Sequence, residues 1–394
     1  MTKILHIGKF YPPANGGMER VVQQLAEGSR RSARVCVLVA NTAPRTVCER
    51  REGVQVVRVA RVGQAWSLPI CPALPYWIDR LQSDLVMLHV PNPLAMWWLL
   101  RGKSTAPSIV WLHSDIVRQQ LLRPWYEATL SRCLARASAV AVSNPVLLDL
   151  PSLQHFRSKC HLIPYGIDVS RFTLTPERQS RSTALRQQYG SPLILCVGRL
   201  TYYKGISYLL KAMSQIDASL LVVGSGPEGK NLRRLAGRLS IQERVHFLGS
   251  VDHETLAACY HACDLFILPS IARAEAFGVV QLEAMASGKP VISTQLPTGV
   301  PWVNQDGLTG LVVPPKDPKA LAGAIARLLE DPALRQRLGQ QGRQRVEREF
   351  TIQRMLKQVS DLCCRVLYST ASISEDSLSM STHSPQERLS PVQV

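Results

Sequence analysis

LILCVGRLTYYKGISYLLKAMSQIDASLLVV (193–223) carries two short apolar runs, LILCVG and SLLVVG, on either side of a longer helical pattern, ISYLLKAMSQ. Apolar strands alternating with helices indicate a parallel sheet covered on both faces. The alternation continues downstream through RVHFLG, LFILPS, PVIST and GLVVP, with HETLAACYHAC and VVQLEAMASG as helices. It also occurs upstream, in KILHIG, RVCVLVA, VQVVRVA, DLVMLHV, SIVWLH, AVAVS and CHLIPYG, with helical patterns such as MERVVQQLAEGSRR and PWYEATLSRCLARA between them. A pattern that occurs twice predicts an α/β protein of two doubly wound, Rossmann-like domains. Two domains also suit a chain of 394 residues.

The boundary is expected in the polar stretch 170–191, SRFTLTPERQSRSTALRQQYGS, a linker between domains at 1–169 and 192–350. DPKALAGAIARLLEDPALRQRLGQQGRQRVEREF reads as a pair of charged helical segments. A further helix is expected over 351–369, placed to cross back to the first domain. Residues 370–394 are rich in Ser, Thr and Pro without periodicity and read as a disordered tail.

The formal net charge is +17, and residues 1–168 carry 20 Lys/Arg against 10 Asp/Glu. Such a surface suits phosphates, anionic lipid or nucleic acid, or serves solubility. No nucleic-acid-binding motif accompanies it. The ten cysteines are scattered, several within apolar runs, and read as free thiols in a reducing compartment. MTKILHIGKFYPP has too short an apolar run for a secretory signal. The most hydrophobic run, LAMWWLL (94–100), stops at Arg101, well short of a transmembrane span. A cytoplasmic protein that can rest on a membrane is expected.

In open α/β sheets, ligands sit beyond the carboxyl ends of the strands. Arg199 and Lys204, in GRLTYYKG (198–205), fall there, just before a helix. Two cations can stabilise a departing diphosphate; solvated loop cations are the equal alternative. GSGPE (224–228) follows the next strand, and Gly224 and Gly226 allow either close approach to an anion or a plain turn. Glu275 and Glu283 lie eight positions apart around Phe277, Gly278 and Val279. Carboxylates accept hydrogen bonds from sugar hydroxyls, and the helix start near Gly278 can offer amides to phosphate. Gly16 and Gly17, between the first strand and its helix, permit close approach to a ligand or a tight turn. His113, in WLHSD (111–115), can face a transferred sugar or serve structure alone. No Asp-x-Asp, no HExxH and no metal-spaced Cys/His set occurs, so charge stabilisation is assigned to Arg, Lys and helix ends without a metal or other cofactor.

Together these segments resemble the retaining glycosyltransferase family 4, whose fold is GT-B, two Rossmann-like domains facing across a cleft. The likeness covers roughly residues 1–368, through YPPANGGMER (11–20), HSD (113–115), IPYGID (163–168), GRLTYYKG, VGSGPE (223–228), EAFGVVQLEAMASGKPVI (275–292) and DGLTGLVVPP (306–315). The resemblance implies that Arg199 and Lys204 bind the donor diphosphate. Glu283 would hold the ribose and Glu275 the donor sugar, Gly17 would approach the diphosphate, and His113 would face the sugar. Ala276 departs from the usual glycine, and IARA before Glu275 is longer than usual. With TYYKG and TGVPWVNQDG, these features resemble bacterial polysaccharide mannosyltransferases and rhamnosyltransferases. They favour GDP-mannose as co-substrate, with a UDP-sugar as the alternative.

The first domain is expected to hold a glycan or lipid-diphosphate-linked acceptor. AWSLPICPALPYWI (65–78) and LAMWWLL are aromatic-rich and flanked by Arg61, Arg80, Arg101 and Lys103, as suits an anionic membrane surface; an internal core helix is the alternative. A nucleotide-sugar epimerase, a phosphorylase, a dinucleotide-dependent oxidoreductase and a non-catalytic binding protein are the competing classes. The broken glycine fingerprint disfavours the oxidoreductase, and the full set of diphosphate and sugar residues disfavours the binding protein.

Overall fold

A computed structural model describes residues 1–14, 16–65, 68–114 and 123–379. The strand-rich runs of the first half form β1 (Lys3–Ile7), β2 (Arg34–Ala40), β3 (Val47–Arg51), β4 (Val54–Val59), β5 (Gly63–Ala65), β6 (Leu68–Ile70), β7 (Leu85–Val90), β8 (Ser108–Leu112), β9 (Ala139–Val142) and β10 (Cys160–Leu162). Eight of these make one sheet, in the order β10-β9-β8-β7-β1-β2-β4-β3. Every pairing is parallel except β3–β4. Strands β7, β8 and β9 are buried along their whole length, as parallel strands covered on both faces must be.

The second half gives β11 (Leu193–Val197), β12 (Ser219–Val223), β13 (Val245–Gly249), β14 (Leu265–Leu268), β15 (Val291–Thr294) and β16 (Gly310–Val313). They form an all-parallel sheet in the order β13-β12-β11-β14-β15-β16. Counted from its own first strand, this is the 3-2-1-4-5-6 order of the dinucleotide-type fold. The order reverses between β11 and β14. In the first sheet it reverses between β1 and β7. Each reversal opens a crevice at the carboxyl ends of its strands, and these two crevices hold the candidate site.

Strand β3 has no counterpart in the sequence reading. Its residues alternate between half-buried and exposed, so it presents no apolar face. It is an edge strand that turns into β4 through Glu52 and Gly53, both at positive φ (46° and 80°), the geometry of a two-residue hairpin.

The polar stretch 170–191 is not an extended linker. A helix runs over Pro176–Tyr189, started by Thr175, whose side chain accepts from the Arg178 amide. Arg178 donates twice to Glu254, at 2.9 Å each, and fastens this helix to the helix His253–Ala262 of the second domain. Further on, Asp317 and Asp331 cap the helices Pro318–Glu330 and Pro332–Glu349, each with proline in the first turn.

The chain crosses between domains along two adjacent strips. Ile167 donates to the Phe350 carbonyl at 2.8 Å and accepts from Ile352 at 2.9 Å. Gly166 allows this approach, since a Cβ there would lie 2.4 Å from the Thr351 carbonyl oxygen. The final helix, Ile352–Ser379, then packs on the first helix, Gly17–Ser29, where a Cβ on Gly28 would strike Leu356. It continues past residue 369, where the tail was expected to begin; residues 380–394 lie outside the described residues.

The aromatic run of the first domain is mostly core. Ala95, Met96 and Leu99 are buried, Trp77 and Trp98 pack on the same core, and Arg101 lies over the half-buried Trp97 ring at 4.2 Å. Ile70 and Tyr76 are the exposed members, with Arg80 over the Tyr76 ring. Trp66 lies outside the described residues. Among the described residues no helix is long and apolar enough to cross a membrane.

Candidate active site

Arg199 follows β11 and Glu275 follows β14, so the two loops flank the crevice of the second sheet. Lys204 ends a 3-10 turn, Tyr202–Lys204, and reaches across to Glu275, Nζ to Oε2 at 2.6 Å. Both side chains are nearly buried, 12% and 11% exposed. Burial lowers the Lys204 ammonium, but the Glu275 carboxylate outweighs it and holds the group above its ordinary value. Glu275 also accepts from Ser270 Oγ at 3.0 Å. Arg199 is exposed and touches the Tyr203 hydroxyl at 3.3 Å.

Gly224 and Gly226 approach protein backbone. A Cβ on Gly224 would lie 2.0 Å from the Gly198 carbonyl oxygen, and one on Gly226 would lie 2.5 Å from that of Leu200. The amides of Gly198, Leu200 and Glu228 close the two loops together by donating to the carbonyls of Val223, Ser225 and Leu200, each at 2.9 Å. These glycines therefore set the position of the loop that carries Arg199. Gly198 itself has φ +151°, and a side chain there would press on Lys204 at 3.2 Å.

Gly278, at φ +72°, turns the chain into the helix Val279–Ala286, and a Cβ there would meet Leu268 at 2.6 Å. Val279 is the first helical residue, so the opening amides lie beside the crevice without intrahelical partners. Gln281 steadies the turn by donating to the Phe277 carbonyl at 2.8 Å. Phe277 is buried in an aromatic cluster with Tyr165, Trp302 and Phe350, which joins the domains behind the site.

Glu283, one turn along that helix, is buried. Its Oε2 accepts from the Tyr260 hydroxyl at 2.8 Å, and its Oε1 lies 3.2 Å from Arg20 Nη1 of the first domain. Burial raises its carboxyl above the usual range, with Arg20 and Tyr260 opposing that rise. Across the cleft, Gly17 begins the first helix, and a Cβ there would meet nothing within 4 Å. Gly16 is extended, and a Cβ there would meet only the end of the Glu19 side chain. Lys9 faces the same gap: burial lowers its ammonium, Glu19 opposes, and Arg199 of the other domain lowers it further.

His113 is placed differently. It is the last member of a buried stacked row, His6, His89 and His113, from the carboxyl ends of the neighbouring strands β1, β7 and β8. His6 Nδ1 meets His89 Nε2 at 3.1 Å, His89 Nδ1 meets His113 Nε2 at 2.9 Å, and His113 Nδ1 meets the Tyr165 hydroxyl at 2.5 Å. Each N–N contact needs one proton and one lone pair, so three neutral imidazoles must all donate in the same sense. Both His113 nitrogens are thus engaged by protein, and a ring-nitrogen contact to sugar requires one of these bonds to open. Burial lowers His6 to about 4 and His113 to about 3, and lowers His89 well below its ordinary value, with the neighbouring histidines adding to the effect. Asp115 lies outside the described residues.

The site therefore brings together Arg199, Lys204, Glu275, Gly278, Val279 and Glu283 on one side, with Gly16 and Gly17 opposite. Gly224, Gly226 and Phe277 support it from behind. Arg20, Lys9, Tyr260 and Ser270 join it although the sequence reading gave them no role. Among the described residues no group of three or more His, Cys, Asp or Glu could hold a metal ion.

Residues 178–345 match the family described as Glycosyl transferases group 1, and residues 15–171 match the one described as Glycosyltransferase Family 4. The D-rhamnosyltransferase WbpZ of Pseudomonas aeruginosa is 34% identical over 358 residues, which cover 89% of this chain and 92% of that protein. The chain belongs to glycosyltransferase family 4. This family 4 chain is also 37% identical, over 91% of its length and 97% of the relative's, to a GDP-mannose-dependent monoacylated alpha-(1-6)-phosphatidylinositol monomannoside mannosyltransferase of Corynebacterium glutamicum. Its fold superimposes on sucrose-phosphate synthase from Thermosynechococcus elongatus with a TM-score of 0.78 at 27% identity, covering 94% of this chain and all of that one. The two Rossmann-like domains are thus those of a GT-B enzyme, and this family 4 chain is a hexosyltransferase that draws on a nucleotide sugar.

Proposed function

We propose that this enzyme takes mannose from GDP-mannose, with retention, and delivers it to a glycan or a lipid-diphosphate-linked acceptor. The observation that carries the reading is the buried Lys204–Glu275 pair at the reversal of the second sheet, in the loop that leads into the helix bearing Glu283. A nucleotide sugar offers a diphosphate for cations and hydroxyls for carboxylates, and this crevice holds both kinds of group. Arg199 and Lys204 bind the diphosphate and stabilise the charge that develops as it leaves. Glu275 accepts from hydroxyls of the sugar, Glu283 accepts from the ribose, and the Val279 turn adds amides to the phosphates. The acceptor attacks the face from which the diphosphate departs, and a phosphate oxygen takes its proton, so no side-chain nucleophile is required.

The donor choice rests on the GDP-mannose-dependent relative and on the TYYKG and TGVPWVNQDG segments. On the acceptor side, exposed Ile70 and Tyr76, with Arg80 beside them, suit an anionic membrane surface on which a lipid-linked acceptor lies. Incubation with GDP-mannose and a mannan or lipid-linked glycan acceptor should release GDP, and excess EDTA should leave the rate unchanged. Loss of activity restored by a divalent metal would overturn the metal-free part of the mechanism. Conversion of GDP-mannose to an isomeric nucleotide sugar without acceptor would replace transfer by epimerisation.

A further inference from the structure

Two carboxylates of the donor crevice are each paired with a cation: Glu275 with Lys204, and Glu283 with Arg20. The first pair lies within the second domain. The second spans the cleft, because Arg20 belongs to the first turn of the helix Gly17–Ser29. Its two ends are unequal. The Glu283 side chain is 4% exposed, whereas Arg20 is 56% exposed and touches it through one nitrogen only. A single contact from a half-exposed arginine leaves most of the guanidinium fork available to another anion.

Glu283 has two oxygens, and Tyr260 occupies one of them. A ribose diol that takes the other approaches the same oxygen as Arg20 and competes with it for that acceptor. The released guanidinium then sits on the helix that Gly17 begins, where the space for a side chain on Gly17 is empty, and near Lys204, whose charge also acts on Glu283. The anion that arrives in that space with the ribose is the diphosphate. From this geometry we infer that Arg20 is a donor-diphosphate ligand supplied by the first domain, held in reserve by Glu283 until the nucleotide binds. The inference rests on the donor-site reading above and adds a cation from the opposite domain to it.

The exchange leaves no charged group without a hydrogen-bond partner. Before binding, two cations face two carboxylates. After binding, the same cations face phosphate oxygens and the carboxylates accept from hydroxyls. Because Arg20 and Glu283 come from different domains, the exchange also ties the first domain to the donor instead of to the protein.

The test compares a nucleoside diphosphate with its nucleoside on full-length protein. GDP and UDP are titrated calorimetrically, and the tighter of the two is paired with guanosine or uridine, followed by ligand-observed NMR. Arg20→Ala should weaken the diphosphate roughly 10- to 100-fold, the scale of a lost charge-assisted hydrogen bond. It should leave the nucleoside unchanged or tighter, because Glu283 no longer has a competitor. Arg20→Lys should recover part of the loss. A thermal melt within a few degrees of wild type certifies the fold.

Equal or tighter diphosphate binding in Arg20→Ala would make the pair a latch only and overturn the inference. Equal weakening of nucleoside and diphosphate would overturn it too, since Arg20 would then act through Glu283 alone. A wild-type protein that binds neither nucleoside diphosphate overturns the donor-site reading itself, and this inference with it.

Discussion

Removing either member of the Lys204–Glu275 pair should damage stability and activity together, and the two effects can be separated. The side chains are 12% and 11% exposed and meet at 2.6 Å. Glu275→Leu strands the Lys204 ammonium, and Lys204→Met strands the carboxylate with only Ser270 beside it. Breaking a buried pair from one side costs roughly 3–5 kcal/mol. At roughly 2–4 °C per kcal/mol for a domain of this size, each single variant should melt about 6–20 °C lower. Replacing both charges with apolar groups, as in Lys204→Met with Glu275→Leu, removes the stranded charge and should recover much of the loss. Differential scanning calorimetry on the four proteins gives the coupling, expected at roughly 2–3 kcal/mol. Release of GDP from GDP-mannose, read at a temperature where all four are folded, should fall at least 100-fold in both singles and in the double, on the scale of a lost charge-stabilising group. Additive stability losses would refute the buried-pair energetics. A double variant that turns over normally would refute the functional role.

Three further outcomes follow from the geometry. The histidine row is neutral when folded, with His6 near 4 and His113 near 3, while unfolded histidines titrate near 6.5. As pH falls below 6.5 the unfolded chain takes up protons that the fold refuses, so stability drops by roughly 1.4 kcal/mol per pH unit for each histidine and levels off only below the folded values. Urea midpoints should therefore fall steeply from pH 6.5 to 4.5, less so in His6→Phe; equal midpoints across that range would contradict the row's neutrality. Gly224→Ala forces a Cβ to 2.0 Å from the Gly198 oxygen at φ +130°, so it should cost at least about 2 kcal/mol and lower kcat/KM by moving Arg199; an unchanged melting temperature and kcat/KM would deny the loop its positioning role. Replacing Ile70 and Tyr76 with Ser should reduce sedimentation with anionic vesicles while the melt stays within a few degrees, whereas unchanged sedimentation removes this face from membrane contact.

Much of this architecture was legible from periodicity because parallel strands must be apolar along their length. The thirteen runs read as strands are all present, since β7 or β14 has no solvent face to interrupt the pattern. Strand β3 was not legible because an edge strand needs no apolar side, and only the Glu52–Gly53 turn marks it. The stretch 170–191 looked like a linker because its helix faces a partner through Arg178 and Glu254 instead of through an apolar stripe. In the site, Arg199, Lys204, Glu275 and Glu283 were legible because each follows a strand end or opens a helix within one domain. Arg20 was not, since its partner is 263 residues away on another domain. His6 and His89 gained no role for the same reason: their contact with His113 depends on β1, β7 and β8 being neighbours, which strand order alone decides. Gly224 and Gly226 read as ligand-facing because a backbone neighbour and a phosphate ask the same thing of a glycine.

The most direct measurement is a thermal-shift titration of the whole chain with a panel of nucleoside diphosphate hexoses, on wild type and on Arg199→Ala with Lys204→Met. A ligand bound only by the folded state adds roughly 2.7 kcal/mol at 100 times its Kd, which raises the melting temperature by about 5–10 °C. GDP-mannose is expected to give the largest saturable rise in wild type and almost none in the double variant. No rise with any member of the panel, or an equal rise in both proteins, would contradict a donor site built on Arg199, Lys204, Glu275 and Glu283.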